Sequence, residues 1–390
     1  MTYFSLLVVA AGSFTSISFL ALAHILIVIP AVYFTYKRAK QDGLGTSEWA
    51  LLGMIVSIIL SVWINADIIE SPWRNIGKSK YFILALMGTF AYREFFQEKI
   101  SSKKIKILIN TLLITTTIAS LSGIVAYYTG YNYIKMKPAC SPNRACGLFG
   151  MLMTYAYGVS LFLVILTGVI IHKEKCKQWF SMKLVYFVWI INFTGLILTY
   201  TRGAWIGFII GLPLFFFKEN KKKFIICFLV LLIGGGLTLT FNKFARSRFL
   251  NSKNSDMLRI AFFQSTLYAV KEKPLLGWGY RNFEPNSKMI KEKYNLYDPT
   301  YGGHAHNNLL EHLASTGIIG FIFTLLFYIT WAREAYLRND IFGKLLFPFV
   351  ISFIVSGMVQ YTFGDAENLF FIMALYSIFQ GTRHTKSLSL

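Results

Sequence analysis

The chain has 390 residues, 55% of them apolar and 15% charged, with 39 Lys and Arg against 18 Asp and Glu for a formal charge of +21. A mean hydropathy of +0.52 excludes both a water-solvated globular surface and a disordered chain, and four cysteines in this length exclude a small disulfide scaffold. The positive excess would suit nucleic acid, so where the charges sit decides what they mean.

They sit between apolar runs. Hydrocarbon offers backbone N–H and C=O groups no partner, so a run long enough to cross a bilayer must be helical. Twelve such helices are expected, roughly over 2–13, 16–36, 48–65, 80–93, 106–128, 148–171, 184–201, 204–217, 224–241, 317–332, 345–361 and 368–381. The expected fold class is an all-α integral membrane protein, a single polytopic domain over 1–390. No Lys or Arg precedes Lys37, so the start lacks the basic region of a cleaved signal peptide and the first helix is expected to be retained. The stretch from Thr2 to Tyr36 is too long for one span and short for two; Gly12, Ser13, Thr15 and Ser16 supply the break.

Short cytoplasmic loops retain Lys and Arg. With the N-terminus inside, twenty-one basic residues fall on the inner side, Lys99 and Lys386 among them, and seven in the short outer loops. The other eleven lie in one long loop at about 242–316, where six acids leave a charge of +5. Both termini are therefore expected in the cytoplasm and the long loop outside. The run Lys218-Glu219-Asn220-Lys221-Lys222-Lys223 reads as a topology anchor with some contact to anionic membrane lipids. Cys140 and Cys146 flank a Pro/Arg turn on the outer side and could close a small disulfide loop there, whereas Cys176 and Cys227 are expected to stay unpaired.

This leaves two classes of function: a transporter or channel, and an enzyme at the outer membrane face. Ion-coupled transport needs ionisable groups at mid-membrane depth, and His24 is the only one well inside an expected span. The loops and Gly/Pro breaks also show no internal repeat of the kind that marks transporter halves. Transport, including a lipid or polysaccharide flippase, is the less favoured class.

The long loop is far beyond the usual length and is therefore expected to be functional. Ser255 or Asp256 can cap a helix running to about Glu272, with Ile260, Phe263, Leu267 and Val270 on a face that would lie on the membrane surface and Pro274 as its stop. Gly277-Trp278-Gly279 makes a turn, and after a Lys-rich polar stretch Gly302-Gly303 opens a second helix beginning near His304. That would place His306 in its first turn, where the positive helix end favours a neutral imidazole able to act as a general base.

In this segment His306-Asn307, nine residues, Gly317, two residues and Gly320 match the signature of a known family. The chain resembles the O-antigen ligases and their relatives, the O-antigen polymerases and O-linked protein oligosaccharyltransferases. Further matches are Thr201-Arg202-Gly203-Ala204-Trp205 at the head of a span, Arg259 in the loop's first helix, and Pro274 to Gly279 with Gly277 and Gly279, followed by Asn282-Phe283. Arg144 through Gly150 resembles a weaker family feature, with Met151 and Met153 in place of polar residues. The resemblance covers about 140–325 well and the remainder only as a pattern of spans.

The resemblance implies an enzyme of the bacterial inner membrane with its active site on the periplasmic face, the periplasmic loop 242–316 carrying the catalytic motifs. Its reaction would move a whole glycan from undecaprenyl pyrophosphate to a hydroxyl, for a ligase a sugar hydroxyl on the lipid A core. The leaving diphosphate needs fixed positive charge, and without a metal or other cofactor arginine is suited to it. Arg202 and Arg259 are expected to hold the diphosphate while His306 takes the acceptor proton, with Asn307, Trp205 and Arg144 as further substrate-binding candidates. Each has a plainer reading: Arg202 snorkelling from a span end, Arg259 on a solvated helix face, His306 as a cap. Zinc on His304, His306 and Glu311 is a sharper rival, but it leaves the arginines without a role. His304 and His312 are expected to be structural, and Asp365 and Glu367 to lie on an exposed loop face. Nucleic acid is not an expected partner.

Overall fold

The computed structural model describes residues 1–97, 101–241, 246 and 253–384. Lys99, Lys386 and most of 242–252, which belong to the charge and loop expectations, lie outside the described residues. Each of the twelve expected segments contains a helix, although 148–151, 198–201 and 358–361 fall outside the helices. In chain order the first half comprises α1 (Thr2–Gly12), α2 (Ile17–Asp42), α3 (Thr46–Ile64), the short α4 (Pro72–Gly77), α5 (Lys80–Gln97), α6 (Ser102–Thr129), α7 (Leu152–Ile171) and α8 (Lys173–Cys176). The second half comprises α9 (Met182–Ile197), α10 (Arg202–Leu214), α11 (Lys221–Phe241), α12 (Lys253–Glu272), α13 (Phe283–Lys293), α14 (Asn308–Leu337), α15 (Ile341–Gly357) and α16 (Ala366–Gly381). Among the described residues, five helices are long and apolar enough to cross a membrane: Ile17–Arg38, Thr46–Ile64, Ser102–Thr129, Leu152–Ile171 and Asn308–Leu337; four shorter apolar helices accompany them.

The break between the first two helices falls where the small residues are. Ser13 follows α1, and the Ser16 hydroxyl accepts from the Ser18 N–H to cap α2. Outside the helices, Tyr131–Asn132 pairs antiparallel with Lys137–Pro138, and the adjoining turn is closed by a Cys140–Cys146 disulfide with a Cα–Cα distance of 6.3 Å.

The bundle closes around α7, the most buried of the five long apolar helices, which packs against α9, α10, α15 and α16. Close approach rests on small residues. Cβ atoms at Gly207 and Gly211 of α10 would run into the hydroxyls of Ser356 and Ser352 on α15, so glycine here sets the distance between the two helices. α3 lies along α14, and α5 along α16.

His24 is the ionisable residue that the sequence places well inside a span, and the other buried charged groups lie near helix ends. His24 is buried between Tyr81 and Phe370, ring centroids 5.1 and 4.6 Å away. The helices also extend past their apolar runs and carry buried Glu48, Arg93, Glu334, Glu311 and His312 near their ends. Two of these groups are met from other helices: Glu334 accepts from Thr46 and Ser47 of α3 and from Gln380 of α16, and Glu48 of α3 faces Arg93 of α5 at 3.8 Å.

Candidate functional site

The site is assembled on a break in α14. Gly317 has φ 67° and ψ −168° inside that helix, a conformation open to glycine and costly for other residues. The break frees backbone groups, and the segment 274–279 takes them up. Trp278 N–H donates to the Ala314 carbonyl (3.0 Å), Gly279 N–H to Ser315 (2.9 Å) and Ile318 N–H to Pro274 (2.8 Å). Backbone docking this close leaves no space for side chains. A Cβ on Gly317 would collide with the Leu275 carbonyl and lie 2.5 Å from Leu276 N, and one on Gly277 (φ 63°) would lie 2.5 Å from the Ala314 oxygen. The two motif glycines therefore face each other across one joint.

From α3, Ser61 Oγ donates to the carbonyls of Leu276 and Ser315 (2.7 Å each) and Asn65 Nδ2 to that of Gly277 (3.1 Å). Gly320 keeps α14 close to α3, because a Cβ there would meet Thr316 and approach Ser57 Oγ to 3.1 Å. Gly279 (φ 97°) leaves space for Ile69. The matched glycines are thus structural: they fix the loop onto the bundle.

The Lys-rich stretch holds a helix that its charge conceals, α13. Phe283 and Ile290 of α13 are buried with Ala269, Trp278, Ala305 and Ala314 in a small core of the loop's own, and Tyr294 stacks on Tyr268 of α12 at 3.9 Å. α12 is already helical at Lys253, so neither Ser255 nor Asp256 caps it. It packs through Ala261, Phe262, Ser265 and Ala269, leaving Ile260 and Leu267 exposed, 48% and 56%. Phe263 and Val270 are half-buried.

His306 is not in a first turn. α14 begins at Asn308, and Asn307 is its N-cap, with Oδ1 accepting from the N–H groups of Leu309 (2.9 Å) and Leu310 (3.1 Å). The capping competence of asparagine ends the helix one residue after the histidine. His306 has φ 48°, a left-handed backbone uncommon for a residue with a side chain. Its N–H donates to His304 Nδ1 (3.1 Å), and its ring Nδ1 bonds Gln360 Oε1 (3.1 Å). The ring lies 4.2 Å from that of His304 and 5.9 Å from Phe262, centroid to centroid.

Burial is the main cause that holds the His306 pKa below the ordinary histidine value; the Gln360 hydrogen bond opposes it and the Arg259 charge adds to it. Burial, then the charges of His306, Arg281 and Arg259, lowers His304 to about 3. Both imidazoles are neutral at pH 7. His304, expected to be structural, thus belongs to the same pair of rings, while His312 is enclosed between Tyr280 and Phe363 at 5.8 and 5.6 Å. Glu311 holds the loop instead of lying open to a metal: its carboxylate accepts from Ala305 N–H (2.8 Å) and Ser315 Oγ (3.3 Å).

Arg202, the first residue of α10, pairs with Asp256 of α12 at 3.0 Å. Asp256 and Arg259 lie one turn apart on α12, so they share a face and the pair draws Arg202 toward the helix that carries Arg259. Arg144 is committed nearby. Its guanidinium donates to the carbonyls of Thr199 (2.7 Å) and Tyr200 (3.2 Å) and to Thr201 Oγ1 (3.2 Å), while Trp205 Nε1 donates to the Leu196 carbonyl (3.0 Å). These two residues clamp the turn from which Arg202 emerges. His306, Asn307, Arg259 and Arg202 are gathered at one end of the bundle, with Arg144 and Trp205 behind Arg202.

Two participants escape sequence reasoning. Gln360 ends an apolar run and reads there as an interfacial residue. Arg281 (φ 63°) donates to the Gly364 carbonyl at 3.0 Å and lies 5.8 Å from the Tyr361 ring centroid. Arg281 also faces Asp365, whose carboxyl is raised to about 6, chiefly by burial and then by Glu367. Asp365 and Glu367 are half-buried rather than exposed.

Residues 185–325 match a family model described as O-Antigen ligase, an interval that starts later than the 140 expected from the motifs. A protein of Haemophilus influenzae described as uncharacterized is 27% identical over 194 residues, covering 45% of this chain. The chain spans about half of that relative's length, 48%. The matched interval contains the whole signature from His306 to Gly320, together with Arg202, Arg259 and the joint at Gly277, and over residues 185–325 the chain is similar to the O-antigen ligase family.

Proposed function

We propose that the chain is a membrane glycosyltransferase acting as an O-antigen ligase, moving a glycan from undecaprenyl pyrophosphate to a sugar hydroxyl of the lipid A core. The observation that carries this reading is a half-buried His306 bonded to Gln360, its pKa lowered by desolvation and by the Arg259 charge, inside the family-matched interval. A neutral imidazole can take the acceptor proton. The acceptor oxygen then attacks the anomeric carbon as its bond to the diphosphate breaks, which inverts that centre and releases undecaprenyl pyrophosphate.

Arg259 and Arg202 stabilise the charge that develops on the leaving diphosphate. Asp256, which is 48% exposed, yields Arg202 to the phosphate when the donor arrives. Arg144 and Trp205 act by holding the turn under Arg202, and Asn307 by capping α14 behind the histidine. No metal or other cofactor is assigned a step.

In this reading the twelve helices cross the inner membrane with both termini in the cytoplasm, and the site faces the periplasm. The exposed apolar residues of α12, Ile260 and Leu267, would then rest in the membrane surface where the lipid donor arrives.

The test is a gel of lipopolysaccharide from a deletion strain complemented with wild type or His306→Ala. Ligase loss leaves bare core, with polymer accumulating on its lipid carrier. Core capped with a single repeat would instead assign a polymerase, and a defect confined to glycosylated protein a protein O-oligosaccharyltransferase. Normal transfer by His306→Ala favours a flippase, and unchanged lipopolysaccharide in the deletion strain overturns both the ligase and polymerase assignments.

A further inference from the structure

Gln360 lies outside the family-matched interval, yet it bonds the ring at the centre of the site. Its side chain is buried, 4% exposed, at the turn after α15, and its Oε1 is 3.1 Å from His306 Nδ1. The turn is held rigidly. Gln360 N–H donates to the Ser356 carbonyl (3.1 Å) and Thr362 N–H to the Gln360 carbonyl (3.0 Å). Both asparagines after His306 grip this same turn. Asn307 Nδ2 donates to the Met358 carbonyl (2.9 Å), Asn308 Nδ2 to Thr362 Oγ1 (2.8 Å), and Phe363 N–H to Asn308 Oδ1 (3.2 Å). The position of Gln360 relative to His306 is therefore set by five hydrogen bonds that involve neither side chain.

A neutral imidazole carries one proton on two nitrogens, and the hydrogen bond made by one nitrogen decides which of them is basic. We propose that Gln360 is the positioning residue that selects the His306 tautomer: its Oε1 accepts from Nδ1–H, which leaves the lone pair on Nε2 to receive the acceptor proton. This rests on the general-base role proposed above for His306. Nε2 has no hydrogen-bond partner among the described residues, and it is the nitrogen left for substrate.

The charged and titratable groups around the pair come from each packed element. They are His304 from the same segment, Arg259 from α12, Arg281 from the turn before α13, Lys291 of α13 beside Phe262, Glu311 of α14 on the Ala305 N–H, and Asp365 beyond Arg281. Among the described residues no carboxylate bonds the His306 ring, so an amide oxygen orients it without the charge that would raise its basicity.

The test uses the purified full-length chain in nanodiscs, with lipid-linked glycan donor and lipid A-core acceptor, and follows turnover against pH for wild type, His306→Ala, Gln360→Met and Gln360→Glu. Gln360→Met fills similar volume without the acceptor and should lower kcat about tenfold, with KM unchanged. Gln360→Glu keeps the acceptor and adds charge, so it should stay active with its acid limb moved to higher pH. Wild-type kcat in Gln360→Met, or an unmoved limb in Gln360→Glu, overturns the assignment. So does a folded Gln360→Glu that is inactive at every pH, the result expected if the amide donates to Nδ1. If Gln360→Met fails to fold, the limb of Gln360→Glu decides alone. Wild-type turnover in His306→Ala would instead defeat the general-base reading itself.

Discussion

The two ends of α14 both meet buried polar groups and treat them in opposite ways. At one end the Glu334 carboxylate accepts from Thr46 Oγ1 (2.7 Å), Ser47 N–H (3.0 Å), Ser47 Oγ (2.6 Å) and Gln380 Nε2 (2.5 Å), and faces Arg383 at 3.6 Å. Every lone pair has a donor, so this carboxylate joins α3, α14 and α16 and has no capacity left for chemistry. Roughly 40 Å along the helix, His306 sits on a left-handed backbone with one ring nitrogen bonded and the other without a described partner. Saturated polar groups stabilise a bundle; a polar group left short of partners, and held there by its surroundings, can act on a substrate.

Substitutions at the two ends should therefore separate rate from stability. The largest effect is expected for His306→Ala: glycan transfer should fall about 10²–10⁴-fold, with the melting temperature of the detergent-purified protein unchanged. A matching loss of melting temperature would break the contrast. The converse is Glu334→Ala, which strands the hydroxyl, amide and guanidinium donors around it and should cost about 3 kcal/mol or more, read as a lower melting temperature, while the pH profile of the remaining activity stays as in wild type.

Gly317→Ala tests the joint under the site. The side chain would meet the Leu275 backbone at a φ of 67°, so about 3 kcal/mol of destabilisation is expected, with proteolysis in the 274–318 region as the sensitive readout. Asn307→Ala removes the α14 cap and should cost about 1 kcal/mol, with a larger proportional loss of transfer than of stability because the same side chain ties the Gln360 turn. The smallest effect is on pH. His306 binds its proton below the ordinary histidine value of about 6.5, so turnover should be flat from neutral pH down to that value and fall only below it. An acid limb at or above 6.5 would show that the ring is not held neutral by burial.

The sequence and the structure meet unevenly across these two ends. The segments that became helices were legible because apolar length and charged flanks follow directly from what hydrocarbon and water each tolerate. His306 was legible as a candidate through the motif that contains it, and Arg202 and Arg259 through separate matches elsewhere in the chain. The motif also contains Asn307 and the glycines, whose work is capping and backbone contact, and one-dimensional spacing does not distinguish a capping residue from one that binds substrate. His306 was placed one turn too far into its helix for this reason: Asn307 is an equally good start, and only the extended backbone before it shows which residue won.

Glu334, Gln360 and Arg281 were invisible for a different reason. A glutamate at the end of a long apolar helix and a glutamine after another are ordinary residues until a neighbouring helix presents Ser47 or His306 to them. The +21 charge, its distribution between apolar runs and the order of the motifs are properties of the chain alone; they determined a helical membrane architecture and the family signature. Which polar groups are saturated and which are left able to react depends on contacts between residues tens to hundreds of positions apart. Packing alone decided that, because a side chain's hydrogen-bond capacity is used or left over only once its neighbours in space are in place.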